Sequence, residues 1–162
     1  MSAVELWTIG GPPILVGSTD SCHSLRTLLP PSGSVVVARL EGESLVEAHD
    51  VFEQFSNALS FPAYFGWNWD ALSDCLCDLS WCPSDRYLVV IYHAEHMLVR
   101  SADEREVFLS VLLRAAHEWQ NPLGKPAGKG VAFKVLPLCA DESVKELREE
   151  VSHNSTSGTA GG

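Results

Sequence analysis

The chain has 162 residues, 46% of them hydrophobic, and a formal net charge of −10, a length and composition typical of one globular domain with its own core. The excess of acid argues against a general nucleic-acid-binding protein, because such proteins present a basic face. No apolar run approaches the roughly 18–20 residues that span a bilayer. No basic residue precedes the apolar part of the N-terminus, so we expect no secretory signal and a cytoplasmic protein.

The first 33 residues predict an extension that packs on the main domain and adds an edge element to its sheet. Short strands are expected at 5–9 and 13–16, and a short helix at 21–29. The pair Pro30-Pro31 then separates this extension from the rest of the chain.

Strands and helices alternate after the extension. Apolar, β-branched runs predict three buried strands, at 34–40, 87–92 and 131–138. Apolar residues at steps of three and four predict four helices, at 45–59, 68–79, 101–119 and 141–151. This order indicates an α/β fold, in which a small parallel sheet of three core strands is packed with helices. The domain is expected to cover residues 34–151, and the small polar residues of 152–162 predict a disordered tail.

Capping residues predict where three of the helices begin. Ser44 with Glu47, and Ser101 with Glu104, fit the capping box in which two side chains bond reciprocally to backbone N–H groups. Asn68 is a suitable N-cap for the helix that follows it.

The chain contains five cysteines, an odd number where no export signal is expected: Cys22, Cys75, Cys77, Cys82 and Cys139. We therefore expect free thiols and no disulfide framework. The spacing at residues 75–82 lacks the paired C-x2-C of structural zinc sites, and His93 and His96 have no matching cysteine pair. The sequence predicts no metal site and no cofactor.

Residues 61–81, FPAYFGWNWDALSDCLCDLSW, combine three Trp and three Asp with no Lys or Arg. On a helical wheel, four apolar residues fall within about 100° and predict the core face: Leu72, Cys75, Leu76 and Leu79. Three acids fall within about 80° on the opposite side: Asp70, Asp74 and Asp78. Because no Lys or Arg occurs from Leu40 to Asp85, this part of the molecule should carry a strong negative field.

An acidic helix face without nearby cations has three interpretations. It can be a solvated surface, its carboxylates can share Mg²⁺, or it can bind a basic protein. The chain has no Gly-rich phosphate loop and no second acidic motif to accompany a magnesium site. The preceding loop adds Tyr64, Phe65, Trp67 and Trp69, and four aromatics in six residues are too many to turn inward together, although Phe61 and Phe65 are expected in the core. Exposed aromatics beside acids favour a protein-binding patch.

Several residues of this chain could also belong to an enzyme active site. Cysteines, histidines and the three acids could supply a thiol or metal site. However, Cys75 lies on the core face, and neither a G-x-S-x-G motif nor a Ser/His/Asp arrangement is present. We therefore expect no catalytic residues.

The segment FPAYFGWNWDALSDCL resembles the signature of the barstar family, intracellular inhibitors of guanyl-preferring microbial ribonucleases. The family pattern is Pro, Tyr-aromatic-Gly, Asn-x-Asp-Ala-Leu and Asp-Cys-Leu. Here it reads Pro62, Tyr64-Phe65-Gly66, Asn68, Asp70-Ala71-Leu72 and Asp74-Cys75-Leu76. The resemblance covers about residues 34–138, and the longer N-terminal part resembles the larger actinobacterial members.

The resemblance implies a barnase-like ribonuclease inhibitor whose acidic helix and aromatic loop plug the active site and mimic the RNA phosphate. Asp74 matches the acid at the phosphate position, Asp70 matches a second acid that pairs with basic residues, and Tyr64 matches a tyrosine that packs on a catalytic His. The expected partner-binding residues are Tyr64, Gly66, Asn68, Trp69, Asp70, Ser73, Asp74 and Trp81.

The implied partner is a basic ribonuclease, of the extracellular type or a toxin domain, bound 1:1 by a monomer without direct contact with nucleic acid or membrane. An alternative is an immunity or interaction module that binds another basic protein or toxin domain. Three positions depart from the best-known family member: Ser73 replaces a Trp, Arg114 an acid, and Trp69 an aliphatic residue. These departures suggest a different ribonuclease or a different docking edge.

Overall fold

The computed structural model describes residues 2–8, 10–20, 24–30, 32–121 and 130–157. Helices and strands follow in the order α1 (Ala3–Trp7), β1 (Gly17–Ser18), β2 (Val35–Glu41), α2 (Ala48–Leu59), α3 (Trp69–Asp78), β3 (Arg86–Tyr92), α4 (Ala102–Gln120), β4 (Ala132–Cys139) and α5 (Val144–Ser157). Short 3₁₀ turns occur at Leu25–Leu28, Gly42–Ser44, Ala94–His96 and Asp141–Ser143. Within these described ranges, no helix has the length and apolar character needed to cross a membrane.

The strands form one parallel sheet in the order β1-β4-β3-β2. In the centre, Ile91 of β3 lies opposite Leu40 of β2 and Pro137 of β4. At one edge, Gly17 of β1 lies opposite Leu138. The predicted α/β fold, with three core strands and an N-terminal edge element, is therefore confirmed.

Different parts of the chain cover the two faces of the sheet. On one face, Val89 and Ile91 belong to the main core, to which α2, α3, α4 and α5 contribute. On the other face, Leu88 and Val90 pack with Leu6 of α1. Because successive strand residues point to opposite faces, burial on both sides explains the unbroken apolar run of β3.

The N-terminal segment differs from the predicted strands. Most of the predicted strand 5–9 belongs to α1, because Ser2 and Glu5 form a reciprocal capping box. Within the predicted strand 13–16, Ile14 makes an isolated bridge with Val135, and pairing continues at β1. Within the predicted helix 21–29, the described residues form a 3₁₀ turn at Leu25–Leu28, and residues 21–23 lie outside the described part of the chain.

Lys134 of β4 holds the N-terminal segment against the sheet. Its buried Nζ donates hydrogen bonds to the backbone oxygens of Thr8, Gly11 and Pro12, at 3.3, 3.3 and 3.1 Å. Burial lowers the pKa of the Lys134 ammonium group. The segment is thus tied to the sheet, although a domain boundary at residue 33 stays a prediction.

α2 begins later than predicted. The capping box is formed by Glu47 and Asp50, and the Ser44–Glu47 box is wrong. The chain first makes a 3₁₀ turn at Gly42, which lies close to the β3–α4 connection. A Cβ at Gly42 would lie 2.3 Å from the His93 carbonyl oxygen, so this close approach requires glycine.

α5 continues past its predicted end at residue 151. The expected disordered tail is therefore wrong for residues 152–157, and residues 158–162 lie outside the described ranges. Buried Leu147 and Val151 anchor the helix. The hydroxyls of Ser152 and Ser155 donate to the carbonyls of Arg148 and Val151, both at 2.9 Å, so these polar side chains follow the helix.

Candidate protein-binding site

α3 begins at Asn68 and attaches to the core along one face. The side-chain Oδ1 of Asn68 accepts a hydrogen bond from the Ala71 N–H at 2.8 Å, which confirms the predicted N-cap. The predicted core face is also confirmed, with buried Leu72, Cys75, Leu76 and Leu79. Since one side of α3 is fixed in this way, its opposite side must face solvent.

The outward side of α3 presents Asp70, Asp74 and Asp78, all exposed as the helical wheel predicted. Asp78 accepts a hydrogen bond from the Ser80 hydroxyl at 3.2 Å. Of the ion pairs formed by the described residues, none includes these three carboxylates. Repulsion along the helix is therefore not relieved internally, and Asp78 also lies at the unfavourable end of the helix dipole. We call these three residues the acidic face.

Tyr64 stands beside the acidic face with 72% of its surface exposed. Loss of hydration, and then the negative charge of Asp78, raise the pKa of the Tyr64 hydroxyl. The phenol is therefore within electrostatic reach of the last acid of α3. Gly66 is exposed next to it, and its carbonyl oxygen accepts a hydrogen bond from Asn68 Nδ2 at 3.2 Å.

Trp69 and Trp81, expected to face the partner, pack against the core. The Trp69 ring lies edge-on to Phe52, with centroids 5.0 Å apart. Trp81 packs edge-on against Phe61, and its Nε1 donates to the Leu59 carbonyl oxygen at 2.9 Å. Their rings and the Trp81 N–H group are therefore used within the fold, while both residues stay partly exposed, so their contact with a partner remains a prediction.

Ser73 is 3% exposed, which contradicts its expected place on the partner-facing surface. It lies between the core face and the acidic face of α3, where α4 packs on this helix; Trp119 of α4 donates from Nε1 to the Leu76 carbonyl oxygen at 2.7 Å. Among described residues the Ser73 hydroxyl makes no hydrogen bond beyond a weak interaction with the Cys77 thiol. Arg114 is exposed on α4. Burial raises the pKa of the Cys77 thiol, and the positive charge of Arg114 acts in the opposite direction.

Trp67 was counted among the loop aromatics but was not included in the expected contact set. The structure exposes 46% of it and stacks its ring on His49 of α2, with centroids 5.3 Å apart. Phe65 is buried beneath, as predicted, with its ring centroid 5.2 Å from that of Trp67. His49 had no local sequence signal, because α2 and the loop meet only in the folded chain.

The cysteines and a possible metal-binding group lie elsewhere. Free thiols are confirmed for the described cysteines, while Cys22 lies outside the described residues. At the carboxyl ends of β2 and β3, Glu41, Glu43 and His93 bring potential ligand atoms within 4.8 Å of one another. His93 Nδ1 is 2.8 Å from Glu41 Oε1, and the Glu43 N–H donates to the same oxygen at 3.3 Å, so hydrogen bonds account for the proximity of the three residues.

Comparison with known proteins identifies the segment that carries the acidic face. A family model described as Barstar (barnase inhibitor) matches residues 35–137, from the first residue of β2 to β4. No curated protein matches the chain. The matched range contains the aromatic loop and all of α3, and members of this family are inhibitors and not enzymes. Because the match covers more than half of the 162 residues, this chain belongs to the barstar family.

Proposed function

We propose that this protein inhibits a guanyl-preferring, barnase-type ribonuclease by inserting the acidic face of α3 and the adjoining aromatic loop into the active site. Family membership implies a ribonuclease partner of the barnase type. The finer claim concerns how this chain binds it, and the surface of α3 supports that claim.

The observation that carries the proposal is the acidic face. Asp70, Asp74 and Asp78 are exposed on a helix whose other side is buried, and no ion pair formed by the described residues includes them. A ribonuclease active site is basic because it stabilises a phosphorane-like anion during RNA cleavage. Carboxylates on a rigid helix complement such a site and offer no bond that the enzyme can cleave.

Some residues of the site are proposed to contact the ribonuclease, and others hold the contacting residues in position. Asp74 is proposed to occupy the phosphate position, Asp70 to pair with a neighbouring basic residue, and Tyr64 to pack on the catalytic His. The exposed Gly66 leaves room for close approach of the partner's backbone. Asn68 contributes by capping α3, which fixes the direction in which the carboxylates point.

The buried or packed residues are left out of the proposed contact set. Ser73 is buried, and Trp69 and Trp81 pack against the core. They support the loop and the helix from behind. The proposed interface is therefore smaller and more acidic than the expected eight-residue set.

The charge of the whole chain supports fast association. The net charge of −10 and the absence of Lys and Arg from Leu40 to Asp85 direct a negative potential toward a basic partner. We propose a 1:1 complex of a cytoplasmic monomer with a basic ribonuclease, which is either a secreted enzyme or a toxin domain. Neither RNA nor a membrane contacts the inhibitor directly.

Alanine substitution of Asp74 tests the proposal, with Asp103 as the matched control. Asp103 is an exposed acid in the first turn of α4, outside the proposed contact set. Removing one partner of a buried ion pair costs about 3–5 kcal/mol, or roughly a 100- to 5,000-fold increase in Kd. We expect a loss of this order for Asp74→Ala in titrations of ribonuclease activity, and wild-type inhibition for Asp103→Ala.

Circular dichroism must show that both variants are folded. If the two substitutions weaken inhibition equally and only slightly, the active-site plug is wrong. Ionic strength provides a second test, because screening should slow association more than it speeds dissociation. An association rate that does not change with salt would argue against electrostatic steering.

A further inference from the structure

Trp67 occupies a backbone conformation that its side chain does not favour. Its φ is +54°, in the left-handed region where a bulky residue is an outlier and glycine is favoured. It stands between exposed Gly66 and the N-cap Asn68, at the entrance to α3. Since the backbone would accept glycine here more readily, the presence of tryptophan points to a role for the indole ring that offsets this backbone cost.

The indole ring is held in place from the protein side. It stacks on His49 at 5.3 Å between centroids, with the ring planes 22° apart, and it contacts buried Phe65 at 5.2 Å. These two contacts hold the ring against the protein, and 46% of the residue stays exposed. The result is a rigid aromatic surface that faces solvent and is already positioned before any partner binds.

The surroundings of Trp67 are acidic. Asp70 follows three residues later in the chain, and Glu53 follows His49 by one turn of α2; both are exposed. No Lys or Arg occurs in the whole stretch from Leu40 to Asp85. A partner group that approaches this ring therefore enters a negative field that favours cations.

A cation over an indole face is the interaction that such a surface favours, because the ring quadrupole attracts positive charge and Trp is the best aromatic for it. The same chain already makes this contact internally, with the Arg86 guanidinium 5.8 Å from the centroid of the Trp7 ring. At Trp67 the ring has no internal cation of this kind among the described residues.

We propose that Trp67, supported by His49, is a cation–π platform for an Arg or Lys side chain at the rim of the ribonuclease active site. This inference rests on the proposed function, since it names a further contact of the same interface. It assigns Trp67 a specificity role, because ribonucleases without a basic residue at that place would bind less tightly. The acidic face would supply the central contacts, and Trp67 would select among related enzymes.

Two substitutions separate a cation–π contact from simple apolar packing. Trp67→Leu keeps an apolar side chain but removes the ring, and Trp67→Phe keeps a weaker ring. Leucine is tolerated at positive φ in this chain, as at Leu79 and Leu98, so Trp67→Leu is expected to fold. Urea denaturation of both variants verifies this.

The measurement is the Kd for a barnase-type ribonuclease that the wild-type chain inhibits. We expect Trp67→Leu to raise Kd roughly 5- to 30-fold, and Trp67→Phe to raise it by a smaller factor. A scan of Arg and Lys substitutions around the ribonuclease active site should then find one position whose effect is lost in the Trp67→Leu background.

The outcomes are distinguishable from those of the proposed function. If Asp74→Ala abolishes inhibition while Trp67→Leu binds as tightly as wild type, the platform is wrong and the active-site plug stands. Equal losses for the Phe and Leu variants without coupling to a basic residue would also overturn the platform. A wild-type chain that inhibits no barnase-type ribonuclease overturns both proposals.

Discussion

Asn68 connects the stability of α3 to the presentation of its carboxylates, and one substitution tests that connection. Its Oδ1 accepts from the Ala71 N–H at 2.8 Å, and its Nδ2 donates to the Gly66 carbonyl oxygen at 3.2 Å. Replacing an Asn N-cap with Ala costs about 1 kcal/mol. The second hydrogen bond is exposed and adds about 0.5 kcal/mol at most. We therefore expect Asn68→Ala to lower the free energy of unfolding by about 1–1.5 kcal/mol.

Urea denaturation followed by circular dichroism measures this loss, with an unchanged m value. In a thermal scan, each kcal/mol corresponds to about 2–4 °C in Tm for a domain of this size. Asn68→Asp is the matched control: it keeps the acceptor and adds a charge that the helix dipole favours, so stability should stay within about 0.5 kcal/mol of wild type. A wild-type midpoint for Asn68→Ala would refute the capping role.

Three further substitutions test the fold away from the acidic face. Gly42→Ala should destabilise the protein by about 2 kcal/mol or more, because its Cβ would lie 2.3 Å from the His93 carbonyl oxygen; an unchanged urea midpoint would contradict this close approach. The hydrogen bond to Glu41 raises the pKa of His93, so it stabilises the fold below about pH 6.5 and is lost as pH rises through the raised pKa. Glu41→Gln should therefore cost more stability at pH 6 than at pH 9, and equal costs would exclude this linkage. Lys134→Met removes three hydrogen bonds to the N-terminal segment, so amide exchange in α1 should accelerate while β3 stays protected; unchanged exchange in α1 would show that the lysine is not the anchor.

The two-sided character of α3 could be predicted from the sequence because it depends on local periodicity. Residues at steps of three and four share a helix face, so Leu72 and Leu76 had to lie together and Asp70 and Asp74 had to lie apart from them. The parallel sheet followed from the alternation of apolar runs and amphipathic segments. Neither conclusion requires knowing which helices and strands contact one another.

The start of α2 and the packing of the tryptophans depend on distant contacts. The sequence predicted a capping box at Ser44 and Glu47, whereas the helix begins one turn later at Glu47, after a 3₁₀ turn at Gly42, which lies close to the β3–α4 connection. Likewise, the sequence shows several aromatic residues close together but does not show that Trp69 of α3 packs against Phe52 of α2. Tertiary packing decides these details, and the hydrophobic periodicity of the sequence does not predict them.

The end of α5 illustrates how composition can mislead. Serine and threonine after residue 151 are typical of disordered tails, yet Val151 is buried and fixes the helix where that segment begins. The following hydroxyls then bond to helix carbonyls one turn back. One buried apolar residue thus outweighs a polar composition over the next turn and a half.

Competition for the ribonuclease active site tests the central claim most directly. A guanine mononucleotide occupies the phosphate and base sites of a guanyl-preferring ribonuclease, and its release can be followed by fluorescence as the inhibitor is added. If Asp74 of the acidic face fills the phosphate position, the inhibitor should displace the nucleotide completely at a 1:1 ratio of inhibitor to ribonuclease. A ternary complex, in which the nucleotide stays bound while this chain is also bound, would contradict the account.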